Sequence, residues 1–427
     1  MKYTQSIHWD KALLPQLLAW ARLWPHHCFL NPITMNYPYG GFKKMLAVGK
    51  DSLVSEPVGG FDKLWEFWNA KPGWLFGFLS YEMRHDVENI ATRFLHTLKE
   101  PALVFFRPSV LIEWEDDESK IKISAQEPID KLWKSILEQR ITPKPVPKPV
   151  HLKELVTKPT YFDVFKSFRQ HIFEGDIYEV NYCLPYEASI ADFDAMAFFE
   201  ALQAAYPMPF GCLAKLGEWE IVSASPERFL KKIAQKLISQ PIKGTIRKSL
   251  DPKENADLQA ILRNSEKERA ENMMIVDLVR NDLARCSEIG STKVEELFGI
   301  YAFTNINQMI STVTSQLLPN MRFTDALRMA FPMGSMTGAP KIRAMELIDT
   351  YEHQARGIYS GAIGYVTPDA DFDFSVLIRS VFYNQNQSYL YAQAGSALTY
   401  DAEAQAEYEE CKLKIKPLLE LLAGIKP

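Results

Sequence analysis

Ten residues, Ile141 to Val150, read I-T-P-K-P-V-P-K-P-V, and no regular element accommodates them. Each proline removes a backbone donor and holds the chain extended, and the interleaved lysines keep such a segment solvated. The 427-residue chain is therefore expected to divide into an N-terminal region, 1–140, a connector, 141–155, and a C-terminal region, 156–427.

Periodicity fills in the two regions. Lys11–Trp24 carries apolar spacing compatible with an amphipathic helix, with Pro15 near its start, while Gly73–Tyr81 and Ala102–Trp114 read as buried strands. After the connector, Tyr161–Phe173 reads as a helix closing at Gly175, and helical spacing returns over Asn255–Leu283, Pro340–Tyr351 and Ala402–Leu422. Strands are expected at Ile177–Leu184, Cys212–Lys215, Trp219–Ser225, Lys236–Pro241, Gly361–Thr367, Phe374–Tyr383 and Ser388–Ala394. Strand runs mixed with helix runs, without strict alternation, point to an α+β fold built on large antiparallel sheets.

Composition narrows the function classes. A net charge of -5 with no basic run argues against a nucleic-acid partner. No window approaches the ~20 apolar residues of a membrane span, and Met1–Pro25 lacks the apolar core of a signal peptide. Cys28, Cys183, Cys212, Cys286 and Cys411 lie far apart with no Cys-x-x-Cys pair, so buried thiols in a reducing compartment are expected, and the cytoplasm with them.

Three constellations are candidates for chemistry. S-A-S-P-E-R (Ser223–Arg228) and P-I-K-G-T (Pro241–Thr245) each end a strand, presenting Glu227 and Lys243 where functional groups are commonly mounted. Spacing alone would make Lys243 an ordinary solvated loop lysine. Glu268 and Glu271, like Glu407 and Glu410, are three residues apart and share a helix face. Two such helices facing one another suit an oxygen-liganded cation such as Mg²⁺, although carboxylate pairs of this kind also line solvated surfaces. Finally, F-P-M-G-S-M-T-G-A-P-K (Phe331–Lys341) is a glycine-rich turn entering a helix, a place that suits an anion without matching a nucleotide-binding spacing.

Together these segments resemble the chorismate-utilising enzymes, the family of anthranilate, aminodeoxychorismate, isochorismate and salicylate synthases. The resemblance adds E-N-M-M-I-V-D-L-V-R-N-D-L (Glu271–Leu283), R-G-I-Y-S-G-A-I-G-Y (Arg356–Tyr365), V-L-I-R-S (Val376–Ser380) and E-Y-E-E-C-K-L-K (Glu407–Lys414), all in family order from about residue 160 onward. G-F-L-S-Y-E (Gly77–Glu82) looks like a weaker N-terminal signature. The fold implied is a sandwich of two large, mostly antiparallel sheets flanked by helices.

The resemblance also implies roles. Glu271 and Glu410 match direct Mg²⁺ ligands, and Glu268 and Glu407 match ligands acting through water. Arg379 and Tyr359 match the residues that hold the enolpyruvyl carboxylate of chorismate. Thr337, Gly338, Gly244, Thr245 and Gly395 match positions around the substrate, and Glu227 matches the general acid for the departing 4-hydroxyl. Between Pro-Ile and Gly-Thr, aminodeoxychorismate synthases usually carry lysine and the other members alanine; here it is Lys243.

Amination of chorismate at C4 through a covalent lysine intermediate is therefore expected, on the route to p-aminobenzoate and folate. The alternatives are an anthranilate synthase and a non-catalytic chorismate-binding or amidotransferase-docking subunit. The lysine must be uncharged to attack, and lowering its pKa to near neutrality takes ~4 kcal/mol, which burial beside Mg²⁺ is expected to supply. No cysteine sits in the G-x-C-x-G of an amidotransferase, so ammonia is expected from a separate glutamine amidotransferase subunit.

Three positions depart from the family pattern. Glu179 stands where water-using members have a lysine base and amine-using members usually have glutamine. Gln308 replaces a common histidine, and Ala397 a glycine of the G-A-G-I-V stretch.

Overall fold

The computed structural model describes residues 1–425 apart from 34, 36, 89, 91–99 and 142–147. Most of the proline-rich run therefore lies outside the described residues. At the end of the expected connector, Lys153–Glu154 forms a short strand opposite Tyr186 and Glu187.

Every strand pairing is antiparallel, and one continuous ladder links two limbs. The first limb runs Glu179–Ser189, Tyr389–Leu398, Ser380–Asn384, Trp219–Ser225, Phe210–Leu216, His26–Leu30, Met45–Ser55 and Leu103–Trp114. The second continues from Leu103–Trp114 through Leu75–Leu79, Ala362–Val366, Phe372–Val376, Arg228–Ile233, Lys236–Gln240 and Ile306–Gln316 to Lys293–Ala302. Four strands from before the proline-rich run form one block in this ladder, flanked on both sides by strands from after it. His26–Leu30 pairs with Phe210–Leu216, and Leu75–Leu79 with Ala362–Val366.

The two limbs enclose one apolar core, where Phe76, Phe78, Phe105, Phe229, Phe374 and Phe382 meet. A second core lies between the first limb and helices Leu14–Ala21, Lys158–Glu174, Ala195–Ala205, Lys341–Tyr351 and Ala404–Leu422. That double coverage explains why His26–Leu30 and Ser380–Asn384, in the first limb, are buried at every residue rather than alternating. Each fully buried aromatic or aliphatic side chain contributes ~1.5–3 kcal/mol. The sandwich expected from the sequence is thus the fold observed.

Two expected elements are broken, each at a polar residue. Asn255–Leu283 is two helices, Pro252–Asn264 and Glu266–Ala284. Between them Ser265 is extended, and its hydroxyl accepts the backbone N–H of Glu268 at 3.3 Å, capping the second helix. Phe374–Tyr383 is likewise two strands, Phe372–Val376 and Ser380–Asn384, parted by Arg379 in a left-handed backbone conformation with φ +53°. A non-glycine residue held there costs energy and commonly marks a functional position.

The five cysteines are all buried and free. No helix among the described residues is long and apolar enough to cross a membrane.

Candidate active site

The strand corner after Trp219–Ser225 places Glu227 inside the protein, 5% exposed. Its Oε1 accepts the Ser335 hydroxyl at 2.7 Å. Burial pushes its carboxyl up to about 7, against the pull of Ser335 and of the nearby Lys243 and Lys414 charges. A carboxyl that keeps its proton near neutrality can donate it, as a general acid must.

Lys243 sits on strand Ile242–Arg247, which packs against helix Glu266–Ala284. Its ammonium donates to Glu179 Oε1 at 2.7 Å, and the second oxygen of Glu179 is buried with no hydrogen-bond partner. The two side chains are 12% and 1% exposed. Burial pulls the lysine pKa down, but Glu179, Glu271 and Glu410 together outweigh it and leave the amine above its ordinary value. The expectation from sequence paired burial with Mg²⁺; burial alone does not neutralise Lys243, because three carboxylates face it.

The four glutamates come together as two pairs. Helix Glu266–Ala284 carries Glu268 and Glu271, and helix Ala404–Leu422 carries Glu407 and Glu410. Burial, then repulsion from Glu410, raises the pKa of both Glu268 and Glu407 despite nearby lysines. Burial pushes Glu271 up to about 7, and Glu268 adds to the shift against the opposing charge of Lys243. Lys267 reaches Glu407 Oε1 at 3.4 Å and Glu271 Oε1 at 3.8 Å. Lys414 pairs with Glu410 at 2.6 Å, which holds Glu410 below its ordinary value in spite of burial.

Does this set suit a cation? Glu271 Oε1 is buried without a hydrogen-bond partner, and four mutually repelling carboxylates supply only hard oxygen donors. Mg²⁺ favours such donors and retains waters that bridge to more distant ones. Among the described residues, the only three candidate ligand atoms lying within 4.8 Å of one another belong instead to His171, Glu174 and Asp176. Both ring nitrogens of that histidine are already engaged, by Asp176 at 2.8 Å and Tyr351 at 2.9 Å, and Arg343 also binds Asp176. The glutamates fit the ion better.

The remaining expected residues fall unevenly. Arg379 donates to the Lys414 carbonyl at 2.5 Å and lies near enough to Tyr359 for their charges to interact; burial lowers the one and raises the other. Gly395 accepts Lys414 Nζ at 2.9 Å through its carbonyl. Gly338 has φ +152°, and a Cβ there would lie 2.1 Å from the Glu179 carbonyl oxygen. Gly244 has φ +93°, with Glu268 Oε2 3.0 Å from where its Cβ would be. Thr337 is buried, but its hydroxyl donates to the Met333 carbonyl at 3.0 Å and braces its own turn. Thr245 is exposed, and its side chain does not join the buried group. Opposite it in register is Gln308, buried, with its side-chain oxygen unpartnered.

Three polar residues that matter here were not singled out from sequence. Lys414, four residues after Glu410, links two of the site's elements, and that spacing was a readable signal. Ser335 lay within the glycine-rich turn, with nothing in the pattern to pair it with Glu227. Arg356 is fully buried, bridging both oxygens of Glu352 and the carbonyls of Met336 and Asn181.

Comparison with known proteins bears on the family and the fold. Residues 45–420 match the family described as chorismate binding enzyme. The chain is 39% identical over 267 residues to aminodeoxychorismate synthase component 1 of Klebsiella aerogenes, covering 62% of this chain and 58% of that protein. It is 36% identical over 271 residues to anthranilate synthase component 1 of Methanothermobacter marburgensis, covering 62% and 57%. The match thus spans less than three fifths of these relatives' length. The crystal structure of anthranilate synthase component I from Streptococcus pneumoniae superposes with a TM-score of 0.77 at 26% identity, covering 91% of this chain and 94% of that one.

Proposed function

Since the chain belongs to the chorismate binding enzyme family, we propose that it aminates chorismate at C4 to 4-amino-4-deoxychorismate, with Mg²⁺ and with ammonia from a glutamine amidotransferase subunit. One observation carries the choice within the family: Lys243, its side chain 12% exposed, lies near enough to the general-acid candidate Glu227 and to Glu271 for its charge to act on both. The relatives named aminodeoxychorismate synthase support the same reading.

Glu271 and Glu410 would hold the ion directly, and Glu268 and Glu407 through water. Bound there, the ion supplies a counter-charge for the ring carboxylate and for the glutamates that otherwise retain the lysine proton. Lys243 passes a proton to Glu179, its nearest acceptor, and its lone pair attacks ring C2. Both ring double bonds shift, the C4–O bond breaks, and Glu227 protonates the departing hydroxyl to water. Arg379 and Tyr359 hold the enolpyruvyl carboxylate in place meanwhile. Ammonia then adds at C4, both double bonds shift back, and the C2–N bond breaks to release Lys243.

Incubating the protein with chorismate, Mg²⁺ and ammonium, and identifying products by mass, tests the reading. An amino product that retains the enolpyruvyl group is expected. Anthranilate with pyruvate would instead favour an anthranilate synthase, and unchanged chorismate a non-catalytic subunit.

A further inference from the structure

Beside Glu227 lies a small cavity of about 20 Å³. That is room for about one water. Most of its wall is apolar, including Phe229, Val279 and Leu283. Glu227, Ser335 and Asp282 on the wall can exchange a proton, while the hydroxyl of Ser239, also on the wall, is committed to the Phe229 carbonyl at 2.9 Å.

Asp282 has no part in the chemistry described so far. It is eleven residues beyond Glu271 on the same helix, three turns along one face. It is 4% exposed, and its Oδ2 accepts Lys341 Nζ at 2.6 Å. Lys341, the first residue of helix Lys341–Tyr351, also donates to the Ala330 carbonyl at 3.2 Å and is the more exposed of the pair at 10%. The other charged or titratable groups around Asp282 are Arg285 and Cys286 on its own segment and Arg228 across the cavity, whose guanidinium is occupied by Asp373 and Gln240. Glu227 faces Ser335, Lys243 and Lys414.

The reaction proposed above consumes a proton at Glu227. The carboxyl gives one to the departing hydroxyl, while neutral ammonia adds at C4 and leaves with the product as an ammonium. Glu227 must be reprotonated in each turnover, and bound substrate covers its front.

We propose that Glu227 is reloaded through Asp282, a water in the cavity and the Ser335 hydroxyl. In this path Ser335 passes its proton to Glu227 Oε1, 2.7 Å away, and takes one from the cavity water. The water is replenished by the Asp282 carboxyl, and Asp282 regains its proton from solvent past Lys341. Each relay member gives one proton and receives one. Burial, opposed by the nearby Lys341 and Arg285 charges, pushes Asp282 up to about 6, so it holds a proton for a useful fraction of the time near neutrality. Asp282 and Ser335 are positioning and relay residues, since neither touches the ring. The inference rests on the amination reading.

Asp282→Asn keeps the shape and can still accept from Lys341, but it cannot relay. In the ammonium assay at pH 8, kcat for this variant is expected to fall ~10-fold, less than the about 10²-fold or more for losing a general acid itself, with KM for chorismate unchanged. Imidazolium buffer should restore part of the rate, which loss of structure would not allow. Val279→Phe, which fills the cavity and changes no charge, should lower kcat in the same way and guards against a misfolded Asp282→Asn. Wild-type kcat without buffer dependence in both variants would overturn the relay and leave the amination reading standing. A wild-type protein that forms no amino product would remove both.

Discussion

The Nζ of Lys243 lies 2.7 Å from Oε1 of Glu179, and the two side chains are 12% and 1% exposed. The lysine that the proposed mechanism uses as nucleophile is thus held as an ammonium by its nearest neighbour, with Glu271 and Glu410 adding to the hold. Attack requires that this proton leave, so the pair sets the pH at which the amine becomes available. An opposite charge this close favours the ionised lysine by ~1–3 pKa units. Glu179→Gln should therefore move the rising limb of kcat/KM against pH to lower pH by about one unit or more. A limb that stays in place would mean that the pair does not control the amine.

The carboxyl groups also predict how stability depends on pH and metal. Glu227 and Glu271 are pushed up to about 7 and Asp282 to about 6, from ordinary values near 4. Folded, each binds its proton more tightly than unfolded, so the native state holds more protons across that window and stability falls as pH rises through it. Their contribution is complete below about pH 4 and is lost through pH 7. For Glu271, a rise from 4.5 to about 7 corresponds to ~3 kcal/mol at most. In EDTA, the thermal midpoint should drop between pH 5 and pH 8; Mg²⁺ should raise it at pH 8 and have little effect at pH 5. A midpoint that climbs over this range, or that ignores Mg²⁺, would contradict the assignment of these glutamates.

Gly338 tests the contact between the glycine-rich turn and strand Glu179–Ser189. Its φ of +152° and the 2.1 Å approach of the Glu179 carbonyl leave no room for a methyl group. Gly338→Ala should displace the backbone at Glu179 and lower kcat/KM by ~10²-fold, as sub-ångström misplacement of reacting groups can. Near-wild-type kinetics would show that this contact does not position the ion pair.

Arg356 should matter to stability more than to chemistry. Its guanidinium, 1% exposed, joins Glu352, Met336 and Asn181, so one side chain ties a helix end, the glycine-rich turn and an active-site strand. Arg356→Ala leaves Glu352 buried without its cation, a loss of ~3–5 kcal/mol. Arg356→Lys should recover only part of that, because an ammonium cannot reproduce the planar fork. Chemical denaturation reads both, and a loss below 1 kcal/mol for the alanine variant would refute the keystone role.

Much of this was legible in the residues, and the failures have physical causes. Leu75–Leu79, Leu103–Trp114 and Ala404–Leu422 were readable because long apolar runs and sustained helical spacing survive any tertiary context. Ser265 was missed as a break although Ser265 and Glu268 carry the Ser-x-x-Glu pattern of a capped helix start; helical spacing on both sides concealed it. Arg379 was read into a strand because nothing in Val376–Ser380 signals a positive φ at arginine. The pairing of Glu227 with Ser335 joins residues 108 apart, which no local pattern encodes. The contact of Lys243 with Glu179 was hidden for the same reason: the two are 64 residues apart in sequence and in bonding contact in space.

The most direct measurement is the mass of the protein after incubation with chorismate and Mg²⁺ in the absence of ammonia. The account predicts an adduct of chorismate less water on the peptide containing Lys243, discharged on adding ammonium, and absent from Lys243→Ala, which should also lose amination by ~10²-fold or more. A protein that forms the amino product with ammonium yet never carries that adduct, or a Lys243→Ala variant that aminates at the wild-type rate, would contradict it.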